Sequence, residues 1–283
     1  MAEASFARPV FTPPAPSAQL RQAFAGRRAL VTGASAGIGQ ALALDLAAAG
    51  ANLVLTARRV DRLEALAAHL RATYGVEVLV VAADLAQPEA PEQLYAATEG
   101  AGLSIDVLVN NAGFGYLGSF TASSAAWERK MVEVNCAAVV HLTHLFVPRM
   151  VARGSGYILV LASVAGFLPV PYMATYAATK VFDRYFSEAL AEELRPHGIR
   201  VSALCPGPTT TEFGQVAGAR QDFFRRAQTA EAVARKGLVA LVKGRSLNLP
   251  SFSAHLLAQL PRLLPHETLN RIVARLYRRY AKD

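Results

Sequence analysis

Short apolar runs alternate with helix-length stretches from residue 28 onward, and this rhythm constrains the chain more than any other feature. Residues 29–31, 53–55, 78–82, 106–109, 157–161 and 200–204 read as strands of nearly continuous apolar character. Such strands are covered on both faces, as in parallel sheets. Helices are expected over 39–49, 61–73, 91–98, a long stretch ending near Val151, and 174–195. The alternation predicts an α/β fold: a Rossmann-type doubly wound parallel sheet with helices on both faces, plus a C-terminal helical appendage. A seventh strand is read at 247–250.

One domain is expected over 27–250. Residues 1–26, with Pro9, Pro13, Pro14 and Pro16, read as a flexible arm leading to a helical turn at 20–24. The arm lacks the apolar core of a secretory signal. No apolar run reaches the ~18 residues of a membrane span, so no transmembrane helix is expected. Cys136 and Cys205 cannot form a disulfide framework and read as reduced thiols of a cytoplasmic protein.

Apolar residues at 53% permit a sizeable core, and the net charge of +8 is unevenly placed. From Arg220 onward, 13 Lys/Arg stand against 4 Asp/Glu, whereas the first 219 residues hold 16 against 17. A neutral body argues against a nucleic-acid partner, and the basic tail leaves room for an acidic partner or a membrane surface. Within residues 251–283, Leu269, Ile272, Val273, Leu276, Tyr277 and Tyr280 recur at helical spacing beside Arg271, Arg275, Arg278, Arg279 and Lys282. Such a basic amphipathic helix either packs on the body or lies on an anionic membrane, and both readings stand.

The first strand runs into Thr32-Gly33-Ala34-Ser35-Ala36-Gly37-Ile38-Gly39 and then a helix. Glycines permit a sharp turn and close approach of a ligand, and the helix start offers amide groups to a pyrophosphate. The spacing differs from the generic G-x-G-x-x-G, and a tight strand–helix turn explains this loop taken alone. Asp84-Leu85 after the third strand and Asn110-Asn111-Ala112-Gly113 after the fourth add two more polar strand ends, where open parallel sheets bind ligands.

Tyr176 and Lys180 lie four apart on one helical face. An ammonium beside a phenol favours its ionised form. Ser163 follows the fifth strand, and Asn135 lies in the long helical stretch before it. In this order and context the chain resembles the short-chain dehydrogenase/reductase family, from about Arg28 to Phe213. The family's T-G-x-x-x-G-x-G is matched by Thr32, Gly33, Gly37 and Gly39, its N-N-A-G by Asn110 to Gly113, and its tetrad by Asn135, Ser163, Tyr176 and Lys180.

The resemblance implies that Tyr176 is the general acid/base and that Lys180 lowers its pKa and holds the nicotinamide ribose. Ser163 would orient the carbonyl, and Asn135 would anchor a relay water. Cofactor contacts are expected at Gly33, Ser35, Gly37, Ile38, Gly39, Arg58, Asp84, Leu85, Asn111, Ala112 and Gly113, together with Tyr176 and Lys180. Pro206-Gly207, Thr209 and Thr211 are expected at the nicotinamide end. The resemblance also implies a homodimer or homotetramer, with a subunit interface on the Tyr176 helix near Val181 and Tyr185.

The end of the second strand reads Thr56-Ala57-Arg58-Arg59. An acid there would serve NAD; Ala57 followed by Arg58 suits the 2′-phosphate of NADP(H). His141 and His144 lack a third ligand, so no metal is expected. Phe114, Tyr116, Phe167 and Phe213 are expected to wall the substrate site, with Phe223 and Phe224 on a lid. The walls carry no cation, which favours a small apolar carbonyl or alcohol, a ketone or a 3-oxoacyl-type substrate. The predicted protein is an NADP-dependent reductase or the reverse alcohol dehydrogenase, cytoplasmic or peripheral to a membrane. The alternative is a non-catalytic NADP-binding sensor or scaffold, which would have no need of the tetrad.

Overall fold

The computed structural model describes residues 17–220 and 227–281. It begins with helix α1 (Ala18–Phe24), strand β1 (Arg28–Thr32), α2 (Gly37–Ala48), β2 (Asn52–Thr56), α3 (Val60–Tyr74), β3 (Val78–Val80) and α4 (Ala90–Ala96). There follow β4 (Val107–Asn110), α5 (Ala125–Val132), α6 (Ala138–Arg153), β5 (Gly156–Leu161), α7 (Ala174–Leu194) and β6 (Ile199–Leu204). The remainder comprises β7 (Thr209–Thr210), α8 (Phe213–Val216), β8 (Gln228–Thr229), α9 (Ala230–Val242), β9 (Leu247–Asn248), α10 (Phe252–Leu263) and α11 (His266–Arg278).

Seven strands form one sheet in the order β3-β2-β1-β4-β5-β6-β9, with every pairing parallel. The apolar runs have a direct cause. In β1, Ala29 and Val31 enter one core with Leu42, Leu46, Leu63 and Leu238, while Leu30 enters the other with Leu94, Phe146 and Ile158. Side chains alternate across a strand, so a sheet covered on both faces needs an apolar residue at every position. The chain works outward from β1 to β3 and then returns to β4, which pairs with β1 through Ala29↔Val107 and Val31↔Val109. This reversal opens a crevice at the carboxyl ends of β1 and β4.

Four features differ from the sequence-based expectation or refine it. Helix α1, inside the stretch expected as an arm, buries Leu20 and Phe24 in the first core, and Phe24 packs edge-on to Tyr157 at 5.2 Å. The expected long helix is α5 and α6 joined by a π-helical turn, Glu133–Ala137. Continuity through that turn makes residues 125–153 long and apolar enough to cross a membrane, contrary to the expectation from shorter runs. Its inner side, with Leu142, Phe146 and Met150, is built into the second core. Strand β3 stops at Val80, although Val81 and Ala83 still donate to the carbonyls of Leu55 and Ala57.

The tail divides its apolar stripe. Leu269 and Val273 of α11 pack in a third cluster with Leu117, Val170, Met173 and Ala177, whereas Ile272 and Leu276 are 49% and 48% exposed. The inward half of the stripe therefore packs on the body, over the carboxyl end of the sheet.

Candidate active site

Thr32 ties the central strand ends together. Its hydroxyl donates to the Val109 carbonyl at 3.1 Å and accepts from the amides of Asn111 and Ala112, both at 2.9 Å. Asn111 Nδ2 donates to the Thr32 carbonyl at 2.8 Å and reaches the Gly33 carbonyl at 3.3 Å. Gly33 has φ +65°, in the left-handed region that glycine tolerates. A Cβ at Gly39 would overlap both the Gly33 carbonyl and the Asn111 amide. Helix α2 follows Ala36, which has no side chain able to cap it, so its first amide groups remain open toward the crevice.

That crevice holds a cavity of about 520 Å³, within the range of small-molecule sites. Gly33, Ser35, Gly37, Ile38, Arg58, Asp84, Leu85, Asn111, Ala112 and Gly113 line it, as do Pro206, Gly207, Thr209 and Thr211. Gly39 lies behind the lining and permits the loop's closure. Arg58 is exposed at the end of β2. Its neighbour Arg59 donates to the Ser35 hydroxyl at 3.1 Å and to Glu212 at 2.7 Å. Arg62 reaches Glu212 at 2.6 Å. Burial opposes charge on Glu212, yet the two guanidiniums outweigh it and hold the carboxyl below its usual range. This clasp, joining the start of α3 to the loop after β7, has members 150 residues apart and no local sequence signal.

At the other end of the cavity stand Ser163, Tyr176 and Lys180. Lys180 Nζ donates to the Leu161 carbonyl at 2.7 Å and to Asp183 Oδ2 at 2.8 Å, and lies 5.9 Å from the Tyr176 ring centre. Burial pushes the Tyr176 phenol above its ordinary value, against the pull of the Lys180 ammonium and the Ser163 hydroxyl. Burial works against the Lys180 charge, but Asp183 and Tyr176 prevail and the ammonium is held up. At neutral pH the site thus holds a protonated phenol and a charged lysine.

Asn135 sits in the π-helical turn, fully buried and behind the cavity lining. Its Nδ2 donates to the Phe114 carbonyl and to Thr179 Oγ1, each at 3.0 Å, and its Oδ1 accepts from the Phe114 amide at 3.1 Å. The side chain is therefore occupied in clamping the loop after β4 to α7. A π-turn re-aims one side chain out of helical register, which suits this clamp.

The expected substrate walls separate. Phe114 and Phe213 line the cavity, and the Phe213 ring lies 5.2 Å from that of Tyr176. Tyr116 instead borders a small neighbouring cavity with Phe120, Met131 and Tyr172. Phe167 packs with Ala162 and Cys205 under the Arg184 guanidinium. An aromatic residue just past a strand can turn toward either side, and spacing does not tell which. Phe223 and Phe224 lie outside the described residues. The structure adds Met173, Val216 and Tyr277 to the lining. Tyr277, from α11, is half-buried, and desolvation together with Tyr176 pushes its phenol up to about 12.

A profile of the short chain dehydrogenase family matches residues 27–222. The chain is 36% identical over 195 residues to a very-long-chain 3-oxoacyl-CoA reductase of Pyrenophora tritici-repentis, covering 68% of this chain and 57% of the relative. The human protein of that name is 34% identical over 195 residues, covering 68% and 62%. The chain thus spans less than two thirds of the length of either relative. Among solved structures, a short-chain dehydrogenase from Sphingobium yanoikuyae in complex with NADPH superposes with TM-score 0.76 at 34% identity, covering 81% of this chain and 91% of that one. A 7β-hydroxysteroid dehydrogenase superposes with TM-score 0.80 at 27% identity, covering 90% and 98%.

Proposed function

The chain belongs to the short chain dehydrogenase family, and on that footing we propose that it is an NADP(H)-dependent oxidoreductase interconverting a carbonyl and a secondary alcohol on an apolar ketone or 3-oxoacyl-type substrate. One observation carries this reading. Half-buried Tyr176 and buried Lys180 and Ser163 converge at one end of a cavity whose other end is a glycine loop with an exposed arginine at its rim. The cradle fits a dinucleotide: a Cβ at Gly37 would press on Thr211 at 3.0 Å, so the loop admits backbone alone there. Among the described residues no acid pairs with Arg58, which leaves its guanidinium for a 2′-phosphate. The NADPH-bound neighbour supports the same cofactor.

Bound NADPH supplies the hydride. Ser163 holds the substrate carbonyl oxygen and fixes its direction. Tyr176 gives its phenolic proton to that oxygen. Lys180 stabilises the phenolate left behind and holds the nicotinamide ribose. In the reverse direction the phenolate takes the proton back from the alcohol. The cavity's substrate end is walled by Phe114, Met173, Phe213, Val216 and Tyr277. Apolar walls favour substrates through burial, at about 25 cal/mol per Å². The relatives named for 3-oxoacyl-CoA reduction support that class.

The test is a panel of ketones and 3-oxoacyl thioesters of increasing length, followed by NADPH and NADH absorbance. Efficiency should rise with the apolar substituent, mainly through KM, and NADPH should be preferred. Preference for NADH would refute the role of Arg58. Inactivity across the panel despite nucleotide binding would favour a non-catalytic NADP sensor.

The proposed setting is cytoplasmic and peripheral to a membrane. Phe252, Leu256, Leu263, Ile272 and Leu276 are exposed on α10 and α11, beside exposed Arg262, Arg271, Arg275, Arg278 and Arg279. That combination suits an anionic lipid surface. Sedimentation with phosphatidylserine vesicles should exceed that with phosphatidylcholine vesicles and fall with added salt; equal sedimentation would count against it. A homodimer or homotetramer is proposed through α7, where Phe182 and Tyr185 are exposed. A monomer by light scattering at working concentration would argue against it.

A further inference from the structure

Three residues beyond Lys180, helix α7 carries an acid that the reaction as described above does not use. Asp183 is 1% exposed, yet only one of its oxygens is satisfied: Oδ2 takes the Lys180 ammonium, and Oδ1 has no hydrogen-bond partner. A half-satisfied carboxylate in a helix interior is a poor stabiliser. Its evident partner is the lysine that serves the phenol.

We infer that Asp183 is a positioning residue for Tyr176: it pins the Lys180 ammonium between its own carboxylate and the Leu161 carbonyl and cancels part of its charge, so that Tyr176 remains a proton donor and the site favours carbonyl reduction. The inference rests on the reading of Tyr176 as the acid. The geometry is one of competition. The ammonium is 2.8 Å from the carboxylate but 5.9 Å from the centre of the phenol ring. A lysine shared in this way stabilises a phenolate less than a lysine facing it alone.

The surroundings leave this acid as the anion in contact with the ammonium. Cys136, from the π-turn, and Cys205, from the end of β6, both face Lys180, and burial pushes each thiol up to about 12, so both are neutral. Ser163, after β5, bonds without charge. Tyr277, from α11, faces Tyr176 as a neutral phenol. Arg184 and Glu188, further along α7, act on Cys205 and pair with each other at 3.2 Å.

Asp183→Asn keeps the shape and removes the charge. Its test is an ultraviolet difference titration of tyrosinate in the cofactor-free protein, with the same titration of a Tyr176→Phe counterpart subtracted to isolate Tyr176. The midpoint should move to lower pH by about one unit. The alkaline limb of the pH profile for NADPH-dependent reduction of 2-decanone should move down by the same amount, chiefly in kcat. Asp183→Glu, which restores the charge, should return both midpoints toward wild type. An unmoved or raised midpoint in the Asn variant would overturn the inference. If the Asn variant does not fold, Asp183→Ser takes its place in the titration, with the same downward shift expected and the same unmoved midpoint counting against the inference. Undiminished reduction by Tyr176→Phe would instead sink the reading of Tyr176 as acid, while the titration would still judge Asp183 by itself.

Discussion

Tyr176→Phe is expected to cut turnover about 10²–10⁴-fold, the usual contribution of a positioned general acid. NADPH affinity should change little, because the ring and its packing against Phe213 are retained. The variant should also fold normally, since it removes a buried hydroxyl whose ionised form burial already disfavours. Steady-state kinetics and NADPH fluorescence separate the two effects. Near-normal turnover would refute the assignment of the proton to this phenol.

The second large effect belongs to Gly39. Its Cβ direction is blocked by the Gly33 carbonyl and the Asn111 amide, the same two groups that close the glycine loop on the end of β4. Gly39→Ala should therefore force backbone to move, destabilising by roughly 1–3 kcal/mol. NADPH binding should be lost, since the loop's amide groups lose their aim. Thermal unfolding and nucleotide titration check both parts. Gly207→Ala, where a Cβ would meet nothing within 4 Å, is the control for stability and should leave the midpoint unchanged. If Gly39→Ala bound NADPH as the wild type does, the cradle would be misassigned.

The sheet was legible because covering both faces demands uninterrupted apolar runs, and residues 29–31 and 53–55 sit within strands that have this pattern. The Tyr176 and Lys180 pair was legible because helical spacing alone puts them on one face. Other features have no local signature. Tyr277 reaches Tyr176 from far along the chain, and the stripe containing it shows which residues share a face but not what they meet. The π-turn that aims Asn135 at Phe114 is tied to the loop after β4 and to Thr179 of α7, contacts that composition does not show. Helix α1 was legible as a helical turn at 20–24, but not its place in the first core, where Leu20 and Phe24 are buried.

The glycine loop that Asn111 holds through Gly33 and the wall made by Tyr277 lie far apart in chain order, yet they border one cavity. A ligand filling that cavity therefore acts as a noncovalent staple between the first strand's loop and the last helix. By mass action, a ligand at a hundred times its dissociation constant raises the free energy of unfolding by about 2.7 kcal/mol. The folding of α11 and the occupancy of the glycine loop are thereby thermodynamically linked, so that a full cavity and a docked tail reinforce each other.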